Sequence, residues 1–284
     1  MNKLKELYTA GVEILKNAGI TDAEFDALCL LEHTLSLSRV DITLCPEKQV
    51  DGAGFIKACE TRALGTPLQY ILGEWEFMGL PFYVSPDVLI PRADTETLVE
   101  YVLEKHADRK NILDMCCGSG CIGLSVNHFL KNSNVTLCDI SENALEMTRK
   151  NAKRLGLDVE VLQADLTKGG NAYFEDGAFD LILSNPPYIT TRDMDTLSEE
   201  VKREPYIALW GGDDGALFYR PLICEWDSVL ADGGTMALEV GYDTADTVCT
   251  LFCECGYSNI TRHTDLNGVV RVISATKGTY NGIT

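Results

Sequence analysis

The densest chemistry in this chain sits in four consecutive residues, Asn185, Pro186, Pro187 and Tyr188. They follow Phe179-Asp180-Leu181-Ile182-Leu183-Ser184, an apolar run with the length and composition of a buried parallel strand. The motif therefore turns the chain at the carboxyl edge of a sheet, where open α/β folds place their ligands. Its two prolines fix φ near about −65° and remove two N–H donors, so the turn is stiff and its carbonyls face what lies in front. Asn185 adds an amide carbonyl acceptor, and Tyr188 adds a flat aromatic surface. Two acceptors and a ring suit a planar NH₂ group, one acceptor for each hydrogen and a surface against its plane. A lone Asn-Pro would read as an ordinary proline turn; the tyrosine and the buried strand favour a functional reading.

A second motif indicates what would meet that NH₂ group. Asn111-Ile112-Leu113-Asp114-Met115 reads as a short strand, Cys116-Cys117-Gly118-Ser119-Gly120 breaks it, and Cys121 to Val126 resumes as a helix. A strand, a glycine turn and a helix set backbone N–H groups beside a nucleotide-like ligand, although glycine turns also end strands for steric reasons alone. The next strand, Asn134 to Cys138, ends in Asp139, about twenty residues on, where such folds hold ribose hydroxyls with a carboxylate. Asp139 is also a good N-cap for a helix beginning near Glu142. A third strand, Asp158 to Gln163, ends in Ala164-Asp165-Leu166; Asp165 could accept from an adenine amino group or cap a helix. Acidic strand ends in succession, followed by Asn-Pro-Pro-Tyr after the fourth strand, form a pattern.

The elements needed to position these residues divide the chain. Leu4, Leu7, Tyr8, Ile14 and Leu15 recur at helical spacing. Thr21-Asp22-Ala23-Glu24 reads as a capping box opening a second helix with Phe25, Leu28 and Leu31 on its apolar face. Phe55 to Leu64 gives a third helix, stopped by Gly65 and Pro67. Residues 1–74 thus form a small helical domain without catalytic residues, and residues 75–93 a linker whose polar and apolar residues alternate about Gly79 as in a hairpin. Residues 94–284 form an α/β domain. It begins with a helix from Thr95 to Lys105, and its alternating strands and helices imply a mostly parallel sheet covered on both faces. After Tyr188, Leu217 to Leu230 reads as helix, Thr235 to Val240 as strand and Ala245 to Glu254 as helix. Strands near Ser258–Arg262 and Val269–Ala275 are expected to pair at an antiparallel edge.

Bulk composition narrows the classes. The 284 residues carry a formal net charge of −19, and no Lys/Arg run builds the basic face that a duplex nucleic-acid enzyme needs. Arg149-Lys150 with Lys153-Arg154 reads as solvated helix surface. An acidic chain suits a basic protein partner, which such charge brings in faster. Neither a membrane span nor a signal peptide is read, so a cytoplasmic place is expected. The eleven cysteines are an odd count in a long, unsecreted chain. Cys249, Cys253 and Cys255 lack the paired spacing of zinc sites and read as packed, reduced thiols. No metal site is expected, and His33, His106, His128 and His263 are assigned no chemistry.

The motif Asn185-Pro186-Pro187-Tyr188 resembles the signature of S-adenosylmethionine-dependent enzymes that methylate planar amino nitrogens, in nucleic-acid bases or in protein glutamine. Gly65-Thr66-Pro67-Leu68-Gln69-Tyr70-Ile71-Leu72-Gly73, Glu76-Phe77 and Ile90-Pro91-Arg92-Ala93-Asp94-Thr95-Glu96 are more specific. With Glu204-Pro205, the turn Gly211-Gly212-Asp213-Asp214-Gly215, Asp265-Leu266 and Arg271, they resemble the release factor glutamine methyltransferase (PrmC/HemK) family over nearly the whole length. The resemblance implies a Rossmann-like class I methyltransferase, a mostly parallel seven-stranded sheet with an antiparallel edge, plus the N-terminal helical domain as a partner-recognition module. It implies methylation of the side-chain amide of the glutamine in the Gly-Gly-Gln motif of peptide chain release factors, hence a role in translation termination. S-adenosyl-L-methionine is the expected cofactor, held by Cys116, Cys117, Gly118, Ser119, Gly120, Asp139, Asp165, Leu166 and Asn185. Asn185, Pro186, Pro187 and Tyr188 are the expected catalytic residues, with Phe77 and the Ile90-to-Glu96 segment closing over the site. One position departs from the family pattern: Cys116 stands where a glycine usually opens the cofactor loop. The alternatives are an adenine-N6 nucleic-acid methyltransferase, a ribosomal-protein glutamine methyltransferase, and a cofactor-binding adaptor without catalysis, for which an amide-orienting turn has no use.

Overall fold

The structure, a computed structural model, describes residues 1–278. Its first unit comprises Met1–Trp75 together with a returning segment, Ser198–Arg203. Five helices build it: α1 (Leu4–Asn17), α2 (Ala23–Leu35), α3 (Arg39–Leu44), α4 (Ala53–Ala63) and α5 (Leu68–Leu72). Two-residue strands β1 (Asn2–Lys3) and β2 (Gln49–Val50) pair antiparallel. Leu4, Leu7, Leu15, Leu30, Leu31 and Phe55 form the buried centre. The expected capping box at Thr21 does not form: α2 begins at Ala23, and Asp22 at its N-cap makes no side-chain cap bond. Ser38 and Asp41 form a capping box instead, at the start of α3.

The buried stripe of α2 also differs from expectation, running through Ala23, Asp26, Ala27, Leu30 and Leu31, while Phe25 is 45% exposed. The cause is an ion pair that local apolar spacing does not reveal. Arg62 on α4 donates from Nε to Asp26 at 2.7 Å, both side chains being buried, and turns α2 so that a carboxylate faces inward. Burial still holds the Asp26 carboxyl above its ordinary pKa, against the pull of Arg62. Arg62 also reaches Glu200 at 3.0 Å, and Arg203 donates to the Leu64 carbonyl at 2.8 Å. These bonds attach the returning segment to the helical unit, a return that the sequence reading does not contain.

The second unit takes Glu76–Leu197 and the chain from Glu204 onward. A hairpin joins β3 (Glu74–Phe77) to β4 (Leu80–Tyr83) through Met78 and Gly79, whose φ values of 53° and 71° suit a two-residue turn of the primed type. Then come α6 (Ala93–Lys105), β5 (Asn111–Met115), α7 (Cys121–Phe129), β6 (Asn134–Asp139), α8 (Glu142–Leu155), β7 (Glu160–Gln163) and β8 (Phe179–Ser184). Short helices α9 (Thr191–Met194), α10 (Tyr206–Leu209) and α11 (Tyr219–Glu225) precede β9 (Leu230–Glu239), α12 (Ala245–Glu254), β10 (Ser258–Thr264) and β11 (Val270–Thr276). The seven-stranded sheet runs β10-β11-β9-β8-β5-β6-β7. Neighbours from β9 to β7 pair parallel, while β11 pairs antiparallel with both β9 and β10. This is the Rossmann-like class I methyltransferase fold with its antiparallel edge.

Both faces of the sheet are covered, which is why its strands read as continuous apolar runs. Tyr219, Leu222, Ile223, Trp226 and Phe252 pack on one face; Leu98, Val102, Ile122, Leu124 and Leu145 pack on the other. The helix read over Leu217 to Leu230 is shorter than expected, because β9 already begins at Leu230. An irregularity beside Asp232-Gly233-Gly234 lets Phe179 pair with Leu230 and Leu181 with Thr235, so the strand extends backward through the glycines. Cys224 on α11 is disulfide-bonded to Cys255 at the end of α12, their Cα atoms 5.8 Å apart. Cys255 is therefore not the reduced thiol expected; the packing of α11 against α12 brings together two cysteines 31 residues apart in sequence. Cys249 and Cys253 carry free thiols.

Candidate active site

The sheet order reverses about β5, since β6 and β7 lie to one side and β8 to the other. A reversal of this kind opens a crevice at the carboxyl ends of the strands. There Met115 of β5 is paired with Ser184 of β8, and the Ser184 hydroxyl donates to the Met115 carbonyl at 2.6 Å. The next residue on each strand is Cys116 or Asn185, so the fold brings the two sequence motifs side by side.

The loop after β5 is wound through the left-handed region, with φ of 62° at Cys116, 56° at Gly118 and 80° at Gly120. Glycine enters that region freely and cysteine does not, so the position that departs from the family pattern is one where the backbone favours glycine. Burial pushes the Cys116 thiol well up, so it stays protonated. Three polar residues hold the loop. Asp114, buried on β5, accepts from the Gly123 N–H in the first turn of α7 at 2.8 Å. Asn151 on α8 donates to the Ser119 carbonyl at 2.9 Å, and also exchanges bonds with the backbone of Tyr83. Asp139 accepts from Gly118 N–H through Oδ2 and from Ser141 N–H through Oδ1, both at 2.9 Å.

Each Asp139 oxygen therefore retains acceptor capacity beyond its one backbone bond. The cap of α8 is Ser141, whose hydroxyl accepts from Ala144 N–H, which leaves Asp139 outside that role. Asp165 does serve as a cap: Oδ1 accepts from the Thr167 N–H and hydroxyl, at 3.0 and 2.7 Å, at the start of a short 3₁₀ turn. The Thr167 side chain chiefly draws the Asp165 pKa below its ordinary value.

The Asn-Pro-Pro-Tyr turn is cradled by glycines. A Cβ at Gly211 would meet the Tyr188 Cα at 2.5 Å, and one at Gly215 would meet the Tyr188 carbonyl at 2.6 Å. Across this approach the Gly211 N–H donates to the Ile189 carbonyl at 2.8 Å, and the Ile189 N–H donates to the Leu209 carbonyl at 2.9 Å. Asn185 donates from Nδ2 to the Thr95 hydroxyl at 3.3 Å, and the Tyr188 hydroxyl lies 3.5 Å from Glu239 Oε1. Glu204, itself buried, accepts from the Ile90 N–H at 3.0 Å and from the Arg92 guanidinium, tying down the segment opposite.

One cavity of about 170 Å³ is lined by Cys116, Gly118, Asp139, Asp165, Leu166, Asn185 and Pro187. A smaller one of about 40 Å³ is lined by Cys116, Cys117, Gly118, Ser119, Thr95 and Asn185. Of the residues expected in the site, Gly120, Pro186 and Tyr188 line neither; Pro186 is buried, and Gly120 lies against Thr148 and Leu124. Sequence reasoning missed Ile140 and Ile207, which line the larger cavity while 45% and 51% exposed. An isoleucine directly after an acidic strand end was the available signal for the first. Open apolar walls beside a carboxylate with spare lone pairs fit an adenosine: a flat base between aliphatic side chains and a ribose at the acid. Among the described residues, no group of three or more His, Cys, Asp or Glu side chains is placed to hold a metal ion. Nor is any helix there long and apolar enough to cross a membrane.

Comparison with known proteins identifies the family and the fold. Residues 92–203 match the family model described as Methyltransferase small domain, and residues 6–73 match the PrmC N-terminal domain. The chain is 40% identical over 282 residues to the release factor glutamine methyltransferase of Clostridium botulinum, covering 96% of this chain and 99% of that protein. It is 37% identical to the enzyme of that name from Geobacter sulfurreducens, covering 93% of each. Among solved structures, a methyltransferase from Pyrococcus furiosus superimposes with a TM-score of 0.52 at 22% identity, covering 71% of this chain and 91% of its own. The hMettl16 catalytic domain gives 0.56 at 14% identity, covering 80% and 84%. These two likenesses concern the fold.

Proposed function

We infer the activity from the premise that this chain belongs to the release factor glutamine methyltransferase family. It transfers a methyl group from S-adenosyl-L-methionine to the side-chain amide nitrogen of the glutamine in the Gly-Gly-Gln motif of a peptide chain release factor, in the cytoplasm. The observation that carries this reading is the larger cavity, where Asp139 and Gly118 meet Asn185 and Pro187. A carboxylate suited to a ribose and an amide acceptor suited to an NH₂ group share one space. The N-terminal helical domain serves as the module that recognises the release factor, consistent with its match to the PrmC N-terminal domain.

Gly118, Asp139, Ile140, Asp165 and Leu166 would hold the cofactor, which supplies an electrophilic sulfonium methyl when bound. An amide nitrogen is a poor nucleophile because its lone pair is delocalised into the carbonyl. Asn185 accepts from the substrate NH₂ through its side-chain oxygen, the proline turn presents its carbonyl beside it, and together they align the nitrogen. The same acceptors favour the partial positive charge that develops on it, an effect typically worth about 10²–10³ in rate for one lost contact. The nitrogen then gives up one of its two protons after transfer, leaving a neutral N-methyl amide. Tyr188, which lines neither cavity, fixes the end of the turn through the close approach of its backbone to Gly211 and Gly215. Segment Ile90 to Arg92, anchored on Glu204, forms a wall of the smaller cavity.

The reading is tested by incubating the protein with labelled S-adenosylmethionine and a purified release factor, or with DNA, and locating the label by mass spectrometry. Label on the Gly-Gly-Gln glutamine is the expected result. Label on an adenine, or on a glutamine elsewhere, would overturn it.

A further inference from the structure

The disulfide between Cys224 and Cys255 has no part in the chemistry above, yet the helix that carries it backs the larger cavity. Helix α11 packs against α12 on one side and against the 3₁₀ turn Leu166–Lys168 on the other. Phe218, the N-cap residue of α11, lines that cavity, and so does Leu166. Trp226, buried at the opposite end of α11, donates from Nε1 to the Leu166 carbonyl at 2.8 Å. Its indole stacks on the ring of Tyr173, whose hydroxyl accepts from the Asp165 N–H at 2.9 Å. One helix therefore supports Phe218 and the Asp165-Leu166 corner, two separate parts of the cavity wall.

On its outer side α11 is held covalently. Cys224 is exposed, and Cys255, the C-cap residue of α12, is half-buried. A disulfide within reach of solvent thiolates is of the labile kind, and in the cytoplasm, the compartment of the proposed activity, disulfides are mostly transient or redox-sensing. The helix does not need this bond to stay on the sheet, because Tyr219, Leu222, Ile223 and Trp226 are buried without it. What the bond adds is a fixed position.

We propose that Cys224 and Cys255 are a reversible redox couple whose disulfide form holds α11, and with it Phe218 and Leu166, in the arrangement that binds S-adenosylmethionine; the proposal rests on the cofactor reading above. The reductant is a cellular thiol such as glutathione. Its thiolate attacks one sulfur of the pair, forms a mixed disulfide and expels the other cysteine as a thiolate; a second glutathione then displaces the first. The protein gains two electrons and two protons, and two glutathiones leave as one glutathione disulfide. Oxidation is the reverse exchange. Once released, α11 also samples positions that leave the corner at Leu166 unsupported, and the apparent cofactor affinity is scaled down to the fraction of chains still competent. The coupling is reciprocal, so bound cofactor favours the disulfide by the same factor.

The test equilibrates the full chain in buffers of stepped glutathione to glutathione disulfide ratio. Alkylation and mass spectrometry read the Cys224–Cys255 link, calorimetry reads S-adenosylmethionine affinity, and the melting temperature is taken in each state. Oxidised wild type should bind the cofactor at least about fivefold more tightly than reduced wild type. Saturating cofactor should move the half-oxidation point towards the disulfide by the same factor. Cys224→Ser and Cys255→Ser should each bind like the reduced protein at every ratio, which separates this pair from the exposed free thiols Cys45 and Cys253. Equal affinity in the two redox states of the wild type, whatever the melting temperature does, would make the disulfide a structural tie and overturn the proposal while leaving the functional reading intact. A half-oxidation point that saturating cofactor leaves unmoved would overturn it too. A chain that binds no S-adenosylmethionine in either state would overturn the functional reading first, and this proposal with it.

Discussion

The Asp139 carboxylate accepts the backbone N–H of Gly118 at 2.9 Å, so the end of one strand holds the loop that follows its neighbour. The bond has two consequences for a bound nucleoside. It fixes the loop before the ligand arrives, and it leaves the carboxylate with acceptor capacity directed at the same cavity.

Asp139→Ala should weaken S-adenosylmethionine binding by about 1.5–3 kcal/mol, the cost of hydrogen bonds to a charged group. Isothermal calorimetry measures it directly. Equal affinity in mutant and wild type would remove Asp139 from the site.

At Cys116, where φ is 62°, a non-glycine residue carries a strain of about 1–2 kcal/mol. Cys116→Gly relieves that strain, gives up a small half-buried side chain, and gains about 0.4–1 kcal/mol of freedom in the unfolded chain. These terms nearly cancel, so stability should change by no more than about 1 kcal/mol, and cofactor affinity should be equal or higher. Cys116→Val, β-branched at positive φ, should lose both. A large loss of affinity in Cys116→Gly at an unchanged melting temperature would show instead that the thiol itself contacts the cofactor.

Asp114 makes stability depend on pH. Burial raises its pKa from 3.8 to about 7, against the Gly123 N–H that favours the charge. Between those values the folded state holds a proton that the unfolded state has released, so stability falls as pH rises through the window and is level above it. Asp114→Asn keeps an acceptor for Gly123 and cannot ionise. The stability of wild type minus variant should therefore decline by a few kcal/mol between about pH 4 and 7, at about 1.4 kcal/mol per pKa unit. Urea titrations across pH measure this difference, in which the matching contribution of Glu239, also raised to about 7 by burial, cancels. A difference that stays flat with pH would show that Asp114 is not buried as a proton-binding carboxyl.

The sequence disclosed the residues whose meaning is local. The strand ends at Met115, Asp139 and Ser184 were legible because a strand buried on both faces is largely apolar, and the glycine loop, the acid and the Asn-Pro-Pro turn at the ends of these runs mark where they stop. Asn185 was legible because its role depends on the prolines beside it. Glu239 and Glu204 were not assigned roles, because each is bonded to a residue 51 to 114 positions away, and no window of sequence contains such a bond. Phe25 was misplaced for the same reason: Arg62, 36 residues from Asp26, decides which side of α2 faces inward. The disulfide between Cys224 and Cys255 likewise depends on how two helices pack, which cysteine spacing does not encode.

Asn185→Ala removes the side-chain acceptor while leaving the prolines, the glycine cradle and the loop after β5 in place. Its one side-chain bond, to Thr95 at 3.3 Å, is long and only partly buried, so the fold should survive with the melting temperature little changed. Energy used to orient the substrate NH₂ is realised in the transition state, so turnover should fall far more than release-factor affinity. The expected loss is about 10²–10³ in single-turnover rate. Asn185→Asp keeps the size and offers acceptors to the substrate, but it replaces Nδ2 with an oxygen that cannot donate to Thr95. If accepting hydrogen bonds is the role of Asn185, the aspartate should transfer faster than the alanine and slower than wild type. The threonine hydroxyl can turn to donate to the new carboxylate, which keeps the aspartate in place. Rates measured with a release factor carrying Gly-Gly-Gln decide the matter: methyl transfer by Asn185→Ala at the wild-type rate would make Asn185 structural and the mechanism wrong.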